Sequence, residues 1–201
     1  MSEIFSAISA AEAAAVGFGI AYLALAVREH IACWYAAFIS TAISVYVFWD
    51  VSLFMESLLN VYYMAMAVYG WYQWRGNRVQ QAGLAVSTWP PRNHLLIIGG
   101  TLSLTIISGF MLASSTSASW PFVDSFTTWG SVLTTFMVAR KILENWIYWI
   151  VIDAVSIFLY LDRGLYLYAG LFVIYVIIAI FGYFGWRRSM AQALTTTRAR
   201  E

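Results

Sequence analysis

Apolar positions along this chain gather into seven long runs separated by short charged or turn-rich breaks. The runs predict helices near Ala10–Val27, Ile31–Trp49, Val51–Trp74, His94–Leu112, Pro121–Ala139, Leu143–Leu161 and Leu165–Trp186. The breaks are Arg28-Glu29-His30, Asp50, the segment Arg75 to Asn93 with Pro90-Pro91, the Ser/Thr cluster Ser114 to Ser119, Arg140-Lys141 and Asp162-Arg163-Gly164. A bilayer-spanning helix needs roughly 20 mostly apolar residues, so each run is long enough to cross. Of the 201 residues, 62% are hydrophobic and 10% charged, and the mean hydropathy is +0.73. Soluble domains carry about a quarter charged residues. The pattern therefore predicts an all-α membrane protein, a single transmembrane domain over residues 1–201, with no soluble domain to place. No Lys or Arg precedes the first run, so it reads as a retained helix rather than a cleaved signal.

Charge orients the chain. With seven crossings, Arg28, Arg75, Arg78, Arg92, Arg140, Lys141, Arg187, Arg188, Arg198 and Arg200 share the C-terminal side, and only Arg163 lies opposite. The positive-inside rule then places the C-terminus in the cytoplasm and the N-terminus outside. A net charge of +1 argues against a nucleic-acid partner, and the lone Cys33 cannot form an intramolecular disulfide.

Sliding the sequence against itself by 112 residues aligns Arg28–Arg75 with Arg140–Arg187 without a gap, and 13 positions are identical. They include Trp34/Trp146, Asp50/Asp162, Tyr63/Tyr175, Ala67/Ala179, Gly70/Gly182 and Trp74/Trp186, and the same offset sets Glu12 on Asp124. That is an internal repeat. Three helices make each unit, about 10–75 and about 121–187, and a linking helix at about 94–112 inverts the path so that both units run the same way across the membrane. Parallel repeats of this kind are a transporter architecture with the substrate near the midplane. A duplicated bundle serves a channel or a scaffold equally well, and those remain the alternatives of another class.

Polar residues inside the runs mark candidate chemistry. In the sixth run Asn145, Trp149 and Asp153 stand four apart, with Trp146, Ser156 and Tyr160 on the same broad face. An intramembrane acid such as Asp153 is a functional candidate by default; its bland alternative is a hydrogen bond between helices. In the third run Glu56, Asn60, Tyr63, Ala67, Gly70 and Trp74 share a face, and the small residues are expected at close helix contacts. The halves differ where chemistry would sit: Thr41 aligns with Asp153, Cys33 with Asn145, Ala37 with Trp149, and Glu56 and Asn60 with Tyr168 and Phe172. Carboxylates, amides and aromatic rings together suit a small ligand with a cationic ring and hydroxyls. Trp49, Trp74, Trp120 and Trp186 are expected in an interfacial belt.

No cluster of His30, His94, Cys33 and carboxylates has metal spacing, and no cofactor is expected. The only lysine, Lys141, lies at a helix boundary, which excludes a retinal Schiff base. HExxH, GxSxG and phosphate-cradling glycine loops are missing from the sequence, so neither an enzyme nor an ATP-driven pump is expected.

Two stretches, Val68-Tyr69-Gly70-Trp71-Tyr72-Gln73-Trp74 and Arg140-Lys141-Ile142-Leu143-Glu144-Asn145-Trp146-Ile147-Tyr148-Trp149, resemble the YGWYxW and RKxxENWxxW signatures of PnuC-type bacterial nicotinamide riboside transporters. With Asp124-Ser125 and Gly164-Leu165-Tyr166 the resemblance covers both repeat units. It implies a SWEET-like fold of two three-helix bundles plus a linking helix in the bacterial inner membrane. It further implies facilitated diffusion of a vitamin precursor, trapped by a cytoplasmic kinase, and a homo-oligomer is compatible with it. The family's ligand site maps onto Trp146 and Trp149 and onto the polar positions Asn60 and Asp153, where the family's nicotinamide riboside transporters resemble Gln and Asn instead. Thiamine, carried by related transporters, is the alternative cationic substrate. The expected substrate-binding set is Trp146, Trp149, Asp153, Asn145, Asn60, Glu56, Tyr63, Thr41 and Trp34.

Overall fold

A computed structural model describes residues 2–50, 54–75, 84–115 and 120–198. Within them are seven helices: α1 (Ser2–Val27), α2 (Cys33–Asp50), α3 (Phe54–Trp74), α4 (Pro91–Ser115), α5 (Pro121–Ala139), α6 (Asn145–Asp162) and α7 (Tyr166–Arg198). The predicted runs all form. α4 begins earlier than expected because Pro91 occupies its first position, where a missing N–H costs nothing. α7 runs past Trp186 to Arg198 because Arg187 to Arg198 contains no Gly or Pro to stop it.

Four helices are long and apolar enough to cross a membrane by length and composition: Ala10–Val27, Pro91–Ser115, Asn145–Asp162 and Tyr168–Ala193. The other three carry more polar side chains: Ser40, Thr41 and Ser44 in α2, Glu56, Asn60 and Gln73 in α3, and five Ser or Thr residues in α5. Many hydroxyls are satisfied inside their own helix. Thr41 donates to the Ala37 carbonyl at 2.8 Å, Ser44 to Ser40 at 3.0 Å, Thr135 to Ser131 at 2.7 Å and Ser156 to Ile152 at 2.9 Å. This back-bonding lets a hydroxyl sit away from water without an orphaned proton.

The chain divides into two compact units, Met1–Leu84 and Ala85–Glu201. In the first, α1 packs on α2 and α2 on α3; in the second, α4 packs on α5, α5 on α6 and α6 on α7. The middle helix of each trio, α2 or α6, thus touches both of its neighbours.

Positions 112 apart adopt the same local geometry. α1 ends with Glu29 at φ 54° and α5 with Lys141 at φ 51°. Glu29 N–H donates to Ala26 and His30 N–H to Leu25, both at 3.0 Å; Lys141 N–H donates to Val138 and Ile142 N–H to Met137, both at 3.0 Å. Each pair is a Schellman closure with a left-handed residue at its hinge. α6 ends in the same way at Gly164, φ 71°, with the glycine that the conformation favours. Behind these turns, Trp34 meets Trp74 edge to face at 5.3 Å and 86°, and Trp146 meets Trp186 at 5.3 Å and 87°. Trp74 and Trp186 are buried, at 5% and 0% exposure, so the interfacial belt expected of them is replaced by core pairing. Trp49 and Trp120 do remain exposed.

Glycine permits both pairs. A Cβ on Gly70 would collide with the Trp34 ring, and one on Gly182 would lie 2.7 Å from Trp146. The expected close-contact role of Ala67, Gly70, Ala179 and Gly182 is what their burial and these distances describe.

Candidate functional site

The second unit builds its polar stripe from the start of α6 outward. Asn145 is wholly buried and donates from Nδ2 to the Ile142 carbonyl at 2.6 Å, while its Oδ1 accepts from no protein group. Trp146, 2% exposed, is wedged between Trp186 and Gly182, and its indole N–H is likewise without a protein acceptor. A turn later Trp149 is half-buried. Asp153 follows at 4% exposure, close enough to Tyr175 of α7 to act on it electrostatically.

Around that carboxylate, α6 and α7 contribute a continuous series of rings. Tyr175 contacts Phe172 at 5.4 Å, Phe172 contacts Tyr160 at 5.1 Å, and Tyr160 stacks on Tyr168 at 5.5 Å and 24°. Beyond Tyr160 lies a polar rim where Arg163 pairs with Asp124 at 2.7 Å and the Trp120 indole donates to Asp162 at 2.6 Å. A buried carboxylate beside ring faces attracts a cationic ring twice over, through the charge and through the ring quadrupoles.

Tyr160, Tyr168, Phe172 and Tyr175 are absent from the binding set expected from sequence. The signal was present in the repeat alignment, which set Tyr168, Phe172 and Tyr175 opposite Glu56, Asn60 and Tyr63. Composition alone gives an aromatic residue in an apolar helix no distinction from packing.

In the first unit the expected residues have different surroundings. Trp34 is buried against Trp74, Gly70 and Tyr22. Thr41, at the position matching Asp153, spends its hydroxyl on the carbonyls of its own helix. Asn60 donates to the Glu56 carbonyl at 2.9 Å, and the Glu56 side chain is exposed. Tyr63 lies against Tyr62 at 5.5 Å and acts electrostatically on Tyr22. Structure thus groups Asn145 with Trp146, Asp153 with Tyr175, and Tyr63 with Tyr22. It commits Trp34 and Trp146 to packing.

The second unit also holds a cavity of about 390 Å³ between α4, α5 and α6, lined by Thr101, Phe126, Gly130, Ile147, Tyr148 and Ile152 among others. At 100° per residue, these α6 positions lie on a different face from Asn145, Trp149, Asp153 and Ser156. The largest void and the polar stripe are therefore separate features, and the stripe carries the chemistry.

Over residues 9–188 the chain matches the nicotinamide mononucleotide transporter family. It is 23% identical over 196 residues to the nicotinamide riboside transporter PnuC of Escherichia coli, covering 85% of this chain and 82% of the relative. To the riboflavin/roseoflavin transporter RibM of Streptomyces davaonensis it is 28% identical over 174 residues, covering 84% and 80%. Its fold matches a crystal structure of the vitamin B3 transporter PnuC with a TM-score of 0.70 at 21% identity, over 94% of this chain and 85% of that one.

Proposed function

The chain belongs to the nicotinamide mononucleotide transporter family, and from that premise we propose that this membrane transporter imports nicotinamide riboside. The observation that carries the reading is Asp153, buried at 4% exposure and bordered by Tyr175 with Phe172 and Tyr160 beyond it. Nicotinamide riboside joins a positively charged aromatic ring to a hydroxylated sugar. Asp153 faces the ring charge, the Tyr and Trp149 faces sandwich the ring, and Asn145 and Asn60 serve the hydroxyls.

The transport architecture proposed is seven transmembrane helices in two parallel three-helix repeats, with α4 as the linking helix. The matched turns at Glu29 and Lys141 and the matched tryptophan pairs support it. Transport is facilitated diffusion with the C-terminus cytoplasmic, and a cytoplasmic kinase keeps the gradient inward by phosphorylating what enters.

A second reading is thiamine, favoured by the same carboxylate, because its aminopyrimidine and thiazolium both reward an acid. Riboflavin, the substrate named for one relative, is uncharged and gains nothing from Asp153. Calorimetric titration of the wild type, Asp153→Asn and Trp149→Ala with all three vitamins tests the reading. A cation–π contact contributes about 0.5–2 kcal/mol and a hydrogen bond to a charged group about 1.5–3 kcal/mol. Each substitution should therefore weaken nicotinamide riboside by about several-fold to a hundredfold. Unchanged binding in both variants would move the site elsewhere, and riboflavin binding tightest would replace the cationic substrate.

A further inference from the structure

The segment leading from the first unit into α4 is stitched onto the second unit at the α5–α6 turn. Ser87 N–H donates to the Lys141 carbonyl at 3.1 Å and Leu143 N–H donates to the Ser87 carbonyl at 2.8 Å, a short parallel bridge. Two residues on, Trp89 N–H donates to Glu144 Oε2 at 3.4 Å. The other oxygen of that carboxylate, Oε1, stands 4.0 Å from His94 Nε2. His94 Nδ1 is 3.0 Å from the Tyr148 hydroxyl, and the two rings stack at 5.9 Å and 20°. Trp89 lies over both His94 and Phe136, at 6.1 and 6.4 Å. One carboxylate, one imidazole and one phenol thus tie three segments together: the strap 84–90, the start of α4 and the start of α6.

We infer that His94 and Glu144 are positioning residues of a proton-tightened clasp that fastens the strap to the α5–α6 turn. With His94 neutral and its proton on Nε2, the Tyr148 hydroxyl donates to Nδ1, and the gap to Glu144 is too long for a hydrogen bond. Taking up one proton from water, Nδ1–H donates to the phenol oxygen instead and a full positive charge faces the carboxylate. The imidazole then draws onto Glu144, and Trp89 N–H is held by an oxygen whose partner is also bound. The remaining charged groups on the packed elements are Arg92 on α4, Arg140 and Lys141 at the turn, and the strap has none. Imidazoles change charge between about pH 5 and 8, so the clasp is closed at the acid end and released as pH rises.

His94 and Glu144 side chains are 21% and 22% exposed, which places the expected effect at about two- to fivefold, the range of partly exposed ion pairs. The strap is the covalent route between the two units. If transport needs those units to shift, a consequence that rests on the transport reading above, a closed clasp slows it.

The test is hydrogen exchange of the 84–90 segment in the full chain in lipid nanodiscs, at about pH 5.5 and about pH 7.5, corrected for intrinsic exchange. Wild type should be about two- to fivefold better protected at the lower pH, and His94→Gln and Glu144→Gln should lose that dependence. Tyr148→Phe leaves the charge pair in place and should keep it, at lower protection. A flat wild-type response, or pH dependence that persists in His94→Gln, overturns the clasp. Uptake into liposomes at both pH values is measured in parallel. Exchange behaving as expected without any vitamin uptake would sustain the clasp and sink the transport reading; uptake with no exchange effect would do the reverse.

Discussion

Adding one methyl group at Gly182 should unseat the Trp146–Trp186 pair. The new Cβ would lie 2.7 Å from ring atoms Cδ2 and Cε2 of Trp146, about 0.8 Å inside the roughly 3.5 Å at which carbon atoms rest in contact. The indole cannot simply retreat. Trp186, with no exposed surface, stands edge-on to it at 5.3 Å, and Trp146 itself is 2% exposed. Overpacking of this kind costs about 1–3 kcal/mol. One kcal/mol moves the midpoint of a chain this long by about 2–4 °C, so Gly182→Ala should melt about 2–12 °C lower in detergent. Gly170, in the same helix, is the control: a Cβ there meets nothing within 4 Å. Gly170→Ala should be neutral or up to about 1 kcal/mol more stable, since alanine loses less backbone freedom. Thermal unfolding followed by tryptophan fluorescence reads both variants, and near-ultraviolet circular dichroism reports the indole pair itself. Shrinking the obstructing ring with Trp146→Phe should return part of the loss caused by Gly182→Ala. If Gly182→Ala melts no lower than Gly170→Ala, the tryptophan is not wedged as described and the packing argument fails.

Gly164→Ala isolates the backbone, because φ is 71° and no atom lies within 4 Å of the added Cβ; a loss of about 1–2 kcal/mol is expected, and an unchanged melting temperature would contradict it. A reporter fused after Glu201 should be cytoplasmic and one inserted at Ser117 periplasmic, from the sorting of Arg and Lys along the sequence. Both on one side would remove the seven-span topology and the parallel repeat with it.

The number and type of the helices were legible along the chain because lipid leaves a spanning segment little choice. Backbone groups must bond internally, so a long apolar run is a helix wherever it occurs. α5 forms over Pro121–Ala139, the bounds read from the sequence, since Pro121 opens it and Arg140-Lys141 closes it. The 112-residue offset was legible too, and it pointed to the glycines and tryptophans that meet in space. Tertiary structure alone decided which stripe residues pack and which remain available. Trp146 and Trp149 are three residues apart and look alike in sequence, yet the first is sealed beneath Gly182 and Trp186 while the second is half-buried. Helical periodicity orders residues around their own axis but does not name what stands opposite. The rings beside Asp153 come from α7, the strap partners of Glu144 lie 50 or more residues upstream, and the apolar cavity opens on another face of α6. Each of these depends on contacts between segments far apart in the chain, which no local pattern records.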